Sequence, residues 1–207
     1  MSLFRRGGCC FARARAWILV GASELLCAGA AFSQTLSTSS AEQRIEAIQA
    51  SIRARDFAAA GGLLSAFNME PAPSARAWIV DAVGALAPAK GLALFEKALS
   101  DRDAEVRGAA VQALGALGGP RAAADIAAAL AAEKNPGLRH AMAFWLGTFK
   151  DDASVEALDK ALGSDPVASV RLQAAHSLKW IGTENAKRRL KKAASDPDAR
   201  VRGLGHE

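Results

Sequence analysis

The chain has 207 residues, of which 51% are hydrophobic and 23% are charged, and its formal net charge is +5. These values exclude a disordered chain, a collagen-like chain and a multi-pass membrane protein, and they fit one domain of ordinary size. Alanine supplies roughly a quarter of the residues and β-branched residues are few, so intrinsic propensity favours helices over strands. We therefore predict an all-α protein.

The N-terminal segment, residues 1–33, has the character of a secretory signal peptide. Four arginines and no acid precede an apolar stretch from Ala16 to Phe32. Small side chains at Ala31 and Ser33 stand where signal peptidase reads its substrate. We predict cleavage after Ser33, followed by a linker at residues 34–40.

The alternative to cleavage is an uncleaved membrane anchor, because the apolar stretch approaches the length that spans a bilayer. Glu24 lies in the middle of that stretch, and an ionised carboxylate there costs a few kcal/mol. Cleavage would remove four arginines and one acid, leaving 22 basic and 20 acidic residues and a net charge of +2. It would also remove Cys9, Cys10 and Cys27, so the mature protein would have no disulfide, thiolate nucleophile or cysteine metal site.

The first helix is predicted directly after the linker. Ser40 and Gln43 form the pattern of a capping box, and three isoleucines follow at helical spacing. We assign residues 41–56 to an N-terminal capping helix for the domain that follows.

Residues 57–207 repeat with a period near 32 residues. An arginine after an apolar or small residue recurs at intervals of 31, 32, 32 and 31 residues, and an acid always stands six residues before it. Each period contains two apolar stripes of helical spacing, separated by turn residues, and therefore predicts a helical hairpin. One hairpin cannot bury its stripe alone, so successive hairpins should stack into a solenoid. The two polar columns are Arg76, Arg107, Arg139, Arg171 and Arg202, and Glu70, Asp101, Glu133, Asp165 and Asp196.

The segment DRDAEVRGAAVQALG, residues 101–115, resembles the consensus of HEAT-like repeats in the short bacterial form named after phycobilisome lyases. The resemblance covers about residues 57–207 and implies a right-handed α-solenoid of about four and a half hairpins. It also implies that the acids and arginines form a structural ladder between neighbouring repeats, and a buried guanidinium does need a carboxylate partner. We expect Arg139 to be the buried partner of Glu133 and its neighbours.

Catalytic chemistry is not expected. One HEAT family, deoxyhypusine hydroxylase, binds iron through His-Glu pairs that follow the helix arginine, and here only His140 stands at such a position, without a glutamate after it. No other catalytic or nucleotide-binding motif stands in a suitable context. We predict no enzymatic activity and no cofactor.

The second helix of each hairpin lines the concave face in HEAT-like solenoids. At the positions that should face it, the first two repeats carry mainly small residues, including Gly115, whereas the next two carry aromatic and basic ones. The candidate partner-binding residues are His140, Phe144, Leu172, His176, Lys179 and Trp180. Alternatively, Phe144 and Trp180 pack between helices as core, a role that we expect for Trp78 and Trp145.

We therefore expect an exported scaffold, periplasmic or secreted in a bacterium, that binds a protein or peptide of the cell envelope through its concave face. It would contact a membrane only if the signal segment were uncleaved. The competing function is a ligand-binding or enzyme-accessory module in which His140 and His176 hold a metal or tetrapyrrole, although two histidines alone make a weak site. The basic cluster at residues 187–192 is expected to be a solvated face rather than a nucleic-acid site.

Overall fold

The computed structural model describes residues 40–206, and every regular element in that range is helical. The predicted signal peptide, most of the linker and all three cysteines lie outside the described residues. The eleven α-helices of the described range are α1 Ala41–Ala54, α2 Ala59–Ala66, α3 Pro73–Leu86, α4 Leu92–Ala98, α5 Ala104–Leu117, α6 Gly119–Ala132, α7 Pro136–Phe149, α8 Asp152–Ser164, α9 Ala168–Ile181, α10 Glu184–Leu190 and α11 Ala199–Leu204. Two short 3₁₀ segments join them, Pro88–Lys90 and Lys191–Ser195. None of these helices combines the length and the apolar character needed to cross a bilayer.

The helices form two layers. The second helices of the hairpins, α3, α5, α7, α9 and α11, pack side by side in one layer, which α1 extends by packing on α3. The first helices of the hairpins, α2, α4, α6, α8 and α10, form the other layer. The predicted all-α solenoid is confirmed, with four full hairpins and a fifth that ends in the six-residue α11.

The start of the stack shows how local chemistry sets a helix boundary. The hydroxyl of Ser40 accepts a hydrogen bond from the N–H of Gln43 at 3.3 Å, and the Gln43 side chain accepts one from the N–H of Ser40 at 3.0 Å. This is the predicted capping box, and it satisfies two N–H groups that a helix start otherwise leaves open. Helix α1 ends at Ala54, because Arg55 takes a left-handed conformation with φ of 51°.

One apolar column of the repeat forms the centre of the core. Val83, Leu114, Leu146 and Leu178, seven residues after each repeat arginine, have no exposed surface. Because each of them lies between the two layers, a hairpin taken alone would leave its member of the column in water. The core is therefore continuous along the stack.

Two glycines allow neighbouring second helices to approach closely. A Cβ at Gly115 would overlap the indole ring of Trp145, and a Cβ at Gly147 would lie 2.8 Å from the Cβ of Ser177. Both glycines are buried, so the expectation that Gly115 forms part of a bare floor was wrong. Neither position has room for a side chain, because the next second helix occupies the space that a Cβ would need.

Candidate partner-binding face and arginine ladder

Five arginines connect consecutive repeats through paired hydrogen bonds. Nε and Nη2 of each arginine donate to the two carboxylate oxygens of an acid 25 or 26 residues further along the chain, at 2.6 to 3.0 Å. Such two-point contacts between guanidinium and carboxylate are strong and directional. The rungs of this arginine ladder are Arg44–Glu70, Arg76–Asp101, Arg107–Glu133, Arg139–Asp165 and Arg171–Asp196.

Each rung holds three pieces of chain together. Nη1 of Arg139 donates to the carbonyls of Glu133 and Lys134 in the turn before its own helix, while the rest of its guanidinium reaches Asp165 in the next turn. The Asp165 carboxylate also accepts a hydrogen bond from the N–H of Val167 at 2.9 Å. The side chains of Arg139 and Asp165 are only 12% and 6% exposed. The arginine column therefore fixes the turns that space the second helices.

The ladder lowers the pKa values of four of its acids. Hydrogen bonds from Arg107 and Arg171 hold the pKa values of Glu133 and Asp196 below their usual range. For Asp101 and Asp165 burial is the largest single influence and would raise the pKa, but the arginine and backbone hydrogen bonds together outweigh it and lower the pKa. These carboxylates are therefore suited to structural ion pairs rather than to proton transfer near neutral pH.

The sequence pattern missed one arginine of the ladder, and it did not identify the carboxylate that Arg139 binds. Arg44 lies 32 residues before Arg76, but the pattern required an apolar or small residue before the arginine, and Gln43 stands there. The period alone would have found it. The expectation that Arg139 is the buried partner of Glu133 and its neighbours holds for the backbone carbonyls of Glu133 and Lys134, but the carboxylate that Arg139 binds is that of Asp165.

The last arginine of the column has a different set of contacts. Nη1 of Arg202 donates to the carbonyls of Asp196 and Pro197, each at 2.8 Å. Within residues 40–206, no carboxylate faces it in the way that Asp165 faces Arg139. In the described part of the chain, Arg202 therefore holds the turn that precedes its own helix.

The layer formed by the second helices exposes two rows of side chains, which we call the second-helix face. Its members stand five and nine residues after the ladder arginines of α3, α5, α7 and α9, and all of them are exposed. The row at five residues is Asp81, Gln112, Phe144 and His176, and the row at nine residues is Ala85, Ala116, Thr148 and Trp180.

The aromatic candidates are surface residues. Phe144 is 51% exposed and Trp180 is 71% exposed, so the alternative that both pack between helices is wrong. His140, His176 and Lys179 are exposed as well, whereas Leu172 is half-buried and packs against the core. Leu172 was therefore wrongly expected at the surface, because its position at the edge of the α9 stripe brings it against neighbouring helices.

The exposed rings are supported from within the fold. The ring of Phe144 meets that of Trp145 edge to face, with centroids 5.5 Å apart. Trp145 is partly buried, packs against the core and fills the space above Gly115, as expected for a packing residue. The ammonium of Lys150, which directly follows α7, lies 5.8 Å from the centroid of the Trp180 ring on the neighbouring helix α9. The aromatic half of the face thus presents rings whose orientation is restrained.

The opposite half of the face is acidic. Asp81 on α3 belongs to the face, and Glu105 lies outside its two rows, at the start of α5. Both acids are exposed, and neither forms an ion pair with any residue in the described range. Loss of hydration, together with the negative charge of Glu105, raises the pKa of Asp81. The two acids therefore repel each other, and no ion pair within residues 40–206 compensates either of them.

Other candidate chemistry is limited. In the part of the chain that the structure describes, no group of three or more His, Cys, Asp or Glu side chains is arranged to hold a metal ion. In the basic cluster, Arg189 and Lys192 both donate to the buried carboxylate of Asp159 on α8, and Lys187 pairs with Glu184. Arg189 and Lys192 therefore attach the terminal hairpin to the stack, whereas Lys187 pairs within its own helix.

Comparison with known proteins agrees with this architecture. A family model described as HEAT repeats matches residues 59–141 and residues 123–205. The solved structure of an engineered protein is similar to this chain at 19% identity, covering 86% of this chain and 94% of that one, with a TM-score of 0.57. Human deoxyhypusine hydroxylase in complex with glycerol matches at 21% identity, covering 86% of this chain and 82% of that one, with a TM-score of 0.44. No curated protein matches the sequence. At 19% identity, the likeness to the engineered protein establishes a shared fold alone.

Proposed function

The chain belongs to the HEAT repeat family, and we propose that it is an exported, non-catalytic scaffold that binds a protein or peptide partner through the second-helix face. The observation that carries the proposal is the exposure of Phe144 and Trp180 on adjacent second helices, α7 and α9. Single exposed apolar side chains are ordinary, but exposed rings on adjacent helices form the kind of apolar patch that marks a protein interaction site.

The geometry of these rings favours protein or peptide binding. Aromatic side chains bury much apolar area and lose little conformational entropy on binding, which is why they dominate binding hot spots. Phe144 rests against Trp145, and Lys150 lies over the Trp180 ring, so part of the ordering cost is met before a partner arrives. The polar positions around the rings, His140, Thr148 and His176, supply the rim that such a site needs.

A non-catalytic role is supported by the way the chain uses its acids and histidines. The half-buried carboxylates of the ladder are bound by arginines and backbone N–H groups, so they are occupied by structure. His140 and His176 lie on a surface without a third side chain that could complete a metal site in residues 40–206. A scaffold needs only the rigid frame and the exposed rings.

The binding site is tested by changing Phe144 and Trp180 together to alanine. We expect a partner captured from an envelope extract by the wild-type chain, residues 34–207, to bind the double variant more weakly by about 2 kcal/mol per ring, roughly 30-fold each. Isothermal titration with the purified partner would measure the loss. The matched control changes Phe57 and Met69, which are 65% and 86% exposed but lie in turns away from the face. Equal binding by the wild type and both double variants would contradict the proposal.

Export is tested separately on the full-length chain. N-terminal sequencing of the protein recovered from the periplasmic fraction should begin at or near Gln34, because signal peptidase would cut after Ser33. Recovery of intact Met1 in the membrane pellet would instead establish an anchor.

A further inference from the structure

The second-helix face has a one-dimensional order that follows from the repeat. Asp81, Gln112, Phe144 and His176 each stand five residues after a ladder arginine, one on each of α3, α5, α7 and α9. Since the ladder fixes the register of these helices, the four side chains form a row that crosses the helix axes. A ligand that uses the whole row must be extended and must lie across the helices.

The spacing of the row sets the length of such a ligand. Packed helices lie about 8–10 Å apart, so Asp81 and Phe144, two helices apart, are separated by about 20 Å. An extended chain rises about 3.3 Å per residue and covers that distance in about six residues. Near the acidic end the face carries the small side chains of Ala85 and Ala116. Gln112 has an amide that can both donate to and accept from a peptide backbone.

The charges along the row set its polarity. Asp81 and Glu105 are exposed and have no cationic partner in the described range, so a ligand that carries a cation there compensates two negative charges. The aromatic half carries the ammonium of Lys150 beside the Trp180 ring. A cationic side chain is therefore favoured at the acidic half and disfavoured at the aromatic half.

We propose that the partner of this face is an extended peptide segment in which an arginine or lysine is separated by about six residues from a large apolar side chain. The cationic residue lies between Asp81 and Glu105, the backbone passes over Gln112, and the apolar side chain packs between Phe144 and Trp180. This inference rests on the proposed function, because it identifies the ligand class of the same site. The unpaired acids account for the polar end of recognition, just as the exposed rings account for the apolar end.

The probe is a library of random 12-residue peptides selected on the immobilised chain, residues 34–207. We expect the wild type to enrich peptides with Arg or Lys five to seven residues from Trp, Phe or Leu. On the variant D81N/E105Q the cation enrichment should fall to background while the apolar enrichment remains. The matched control, D152N/E156Q, removes two exposed acids from α8 in the other layer and should select like the wild type.

The best enriched peptide gives a quantitative measure. At low salt it should bind D81N/E105Q about tenfold more weakly than the wild type, and 1 M salt should reduce that difference to less than twofold, because exposed charges are screened. Cation enrichment that survives in D81N/E105Q, or enrichment of acidic residues instead, would overturn the inference.

The outcomes separate this inference from the proposed function. If selection depends on Phe144 and Trp180 but not on Asp81 and Glu105, the binding site stands and the ligand class proposed here is wrong. If F144A/W180A enriches the same peptides as the wild type, both proposals fall.

Discussion

Replacing Arg139 by alanine should lower the free energy of unfolding by about 3–5 kcal/mol. The change leaves the Asp165 carboxylate, 6% exposed, without the guanidinium that binds both of its oxygens. It also frees the carbonyls of Glu133 and Lys134, which accept from Nη1. Urea unfolding followed by far-ultraviolet circular dichroism would measure the loss.

The matched control for this change is Arg121→Ala. Arg121 also pairs with a glutamate, Glu96, at 2.6 Å, but the two side chains are 68% and 28% exposed, against 12% and 6% for Arg139 and Asp165. Exposed ion pairs contribute about 0–1 kcal/mol, so this variant should remain close to the wild type. Losses of the same size in R121A and R139A would show that the ladder contributes no more than a surface pair.

The pH dependence gives the same experiment a second readout. Because the pKa of Asp165 is lowered in the folded state, its rung contributes stability in full above the unfolded pKa of about 4 and loses that contribution as the pH falls through the folded pKa. The difference between the wild type and R139A should therefore be constant near neutral pH and shrink below about pH 4. A difference that grows in acid would contradict the assignment.

Replacing Trp145 by alanine should cost about 3 kcal/mol of stability, whereas the same change at the adjacent Phe144 should cost less than about 1 kcal/mol. Trp145 occupies the space above Gly115 and packs against the core, so its removal opens a cavity between α5 and α7. Phe144 is 51% exposed, and its removal forfeits mainly the edge contact with Trp145.

Thermal unfolding of the two single variants would measure this contrast. The pair is matched, since both side chains are aromatic and neighbours on one helix. Losses of similar size would show that Phe144 belongs to the packed interior, and the binding site would then lose its main anchor.

The repeat and its helical hairpins could be predicted from the sequence because both depend on local spacing. The arginines recur at intervals of 31 or 32 residues, and an acid stands six residues before each of them. The apolar stripes recur at the same period. The capping box at Ser40 is equally local, since both of its hydrogen bonds close within three residues. Such signals need no knowledge of which helix lies next to which.

The direction of the ladder was decided only by the tertiary structure. Glu133 is close to Arg139 in sequence, yet Arg139 binds Asp165, because stacking brings the next turn against the guanidinium while the preceding turn offers its carbonyls. Arg44 joined the ladder for the same reason, although its sequence neighbour does not fit the pattern.

The surface was also decided by tertiary packing rather than by helical periodicity alone. Periodicity assigns each residue an angle around its own helix, but it does not show where the next helix approaches. Neighbouring helices bury Gly115 and half-bury Leu172, although both were expected at the surface. Phe144 and Trp180 remain exposed. The sequence by itself determined the repeat, the ladder residues and the candidate rings, while lateral contact between second helices decided which side chains remain free to meet a partner.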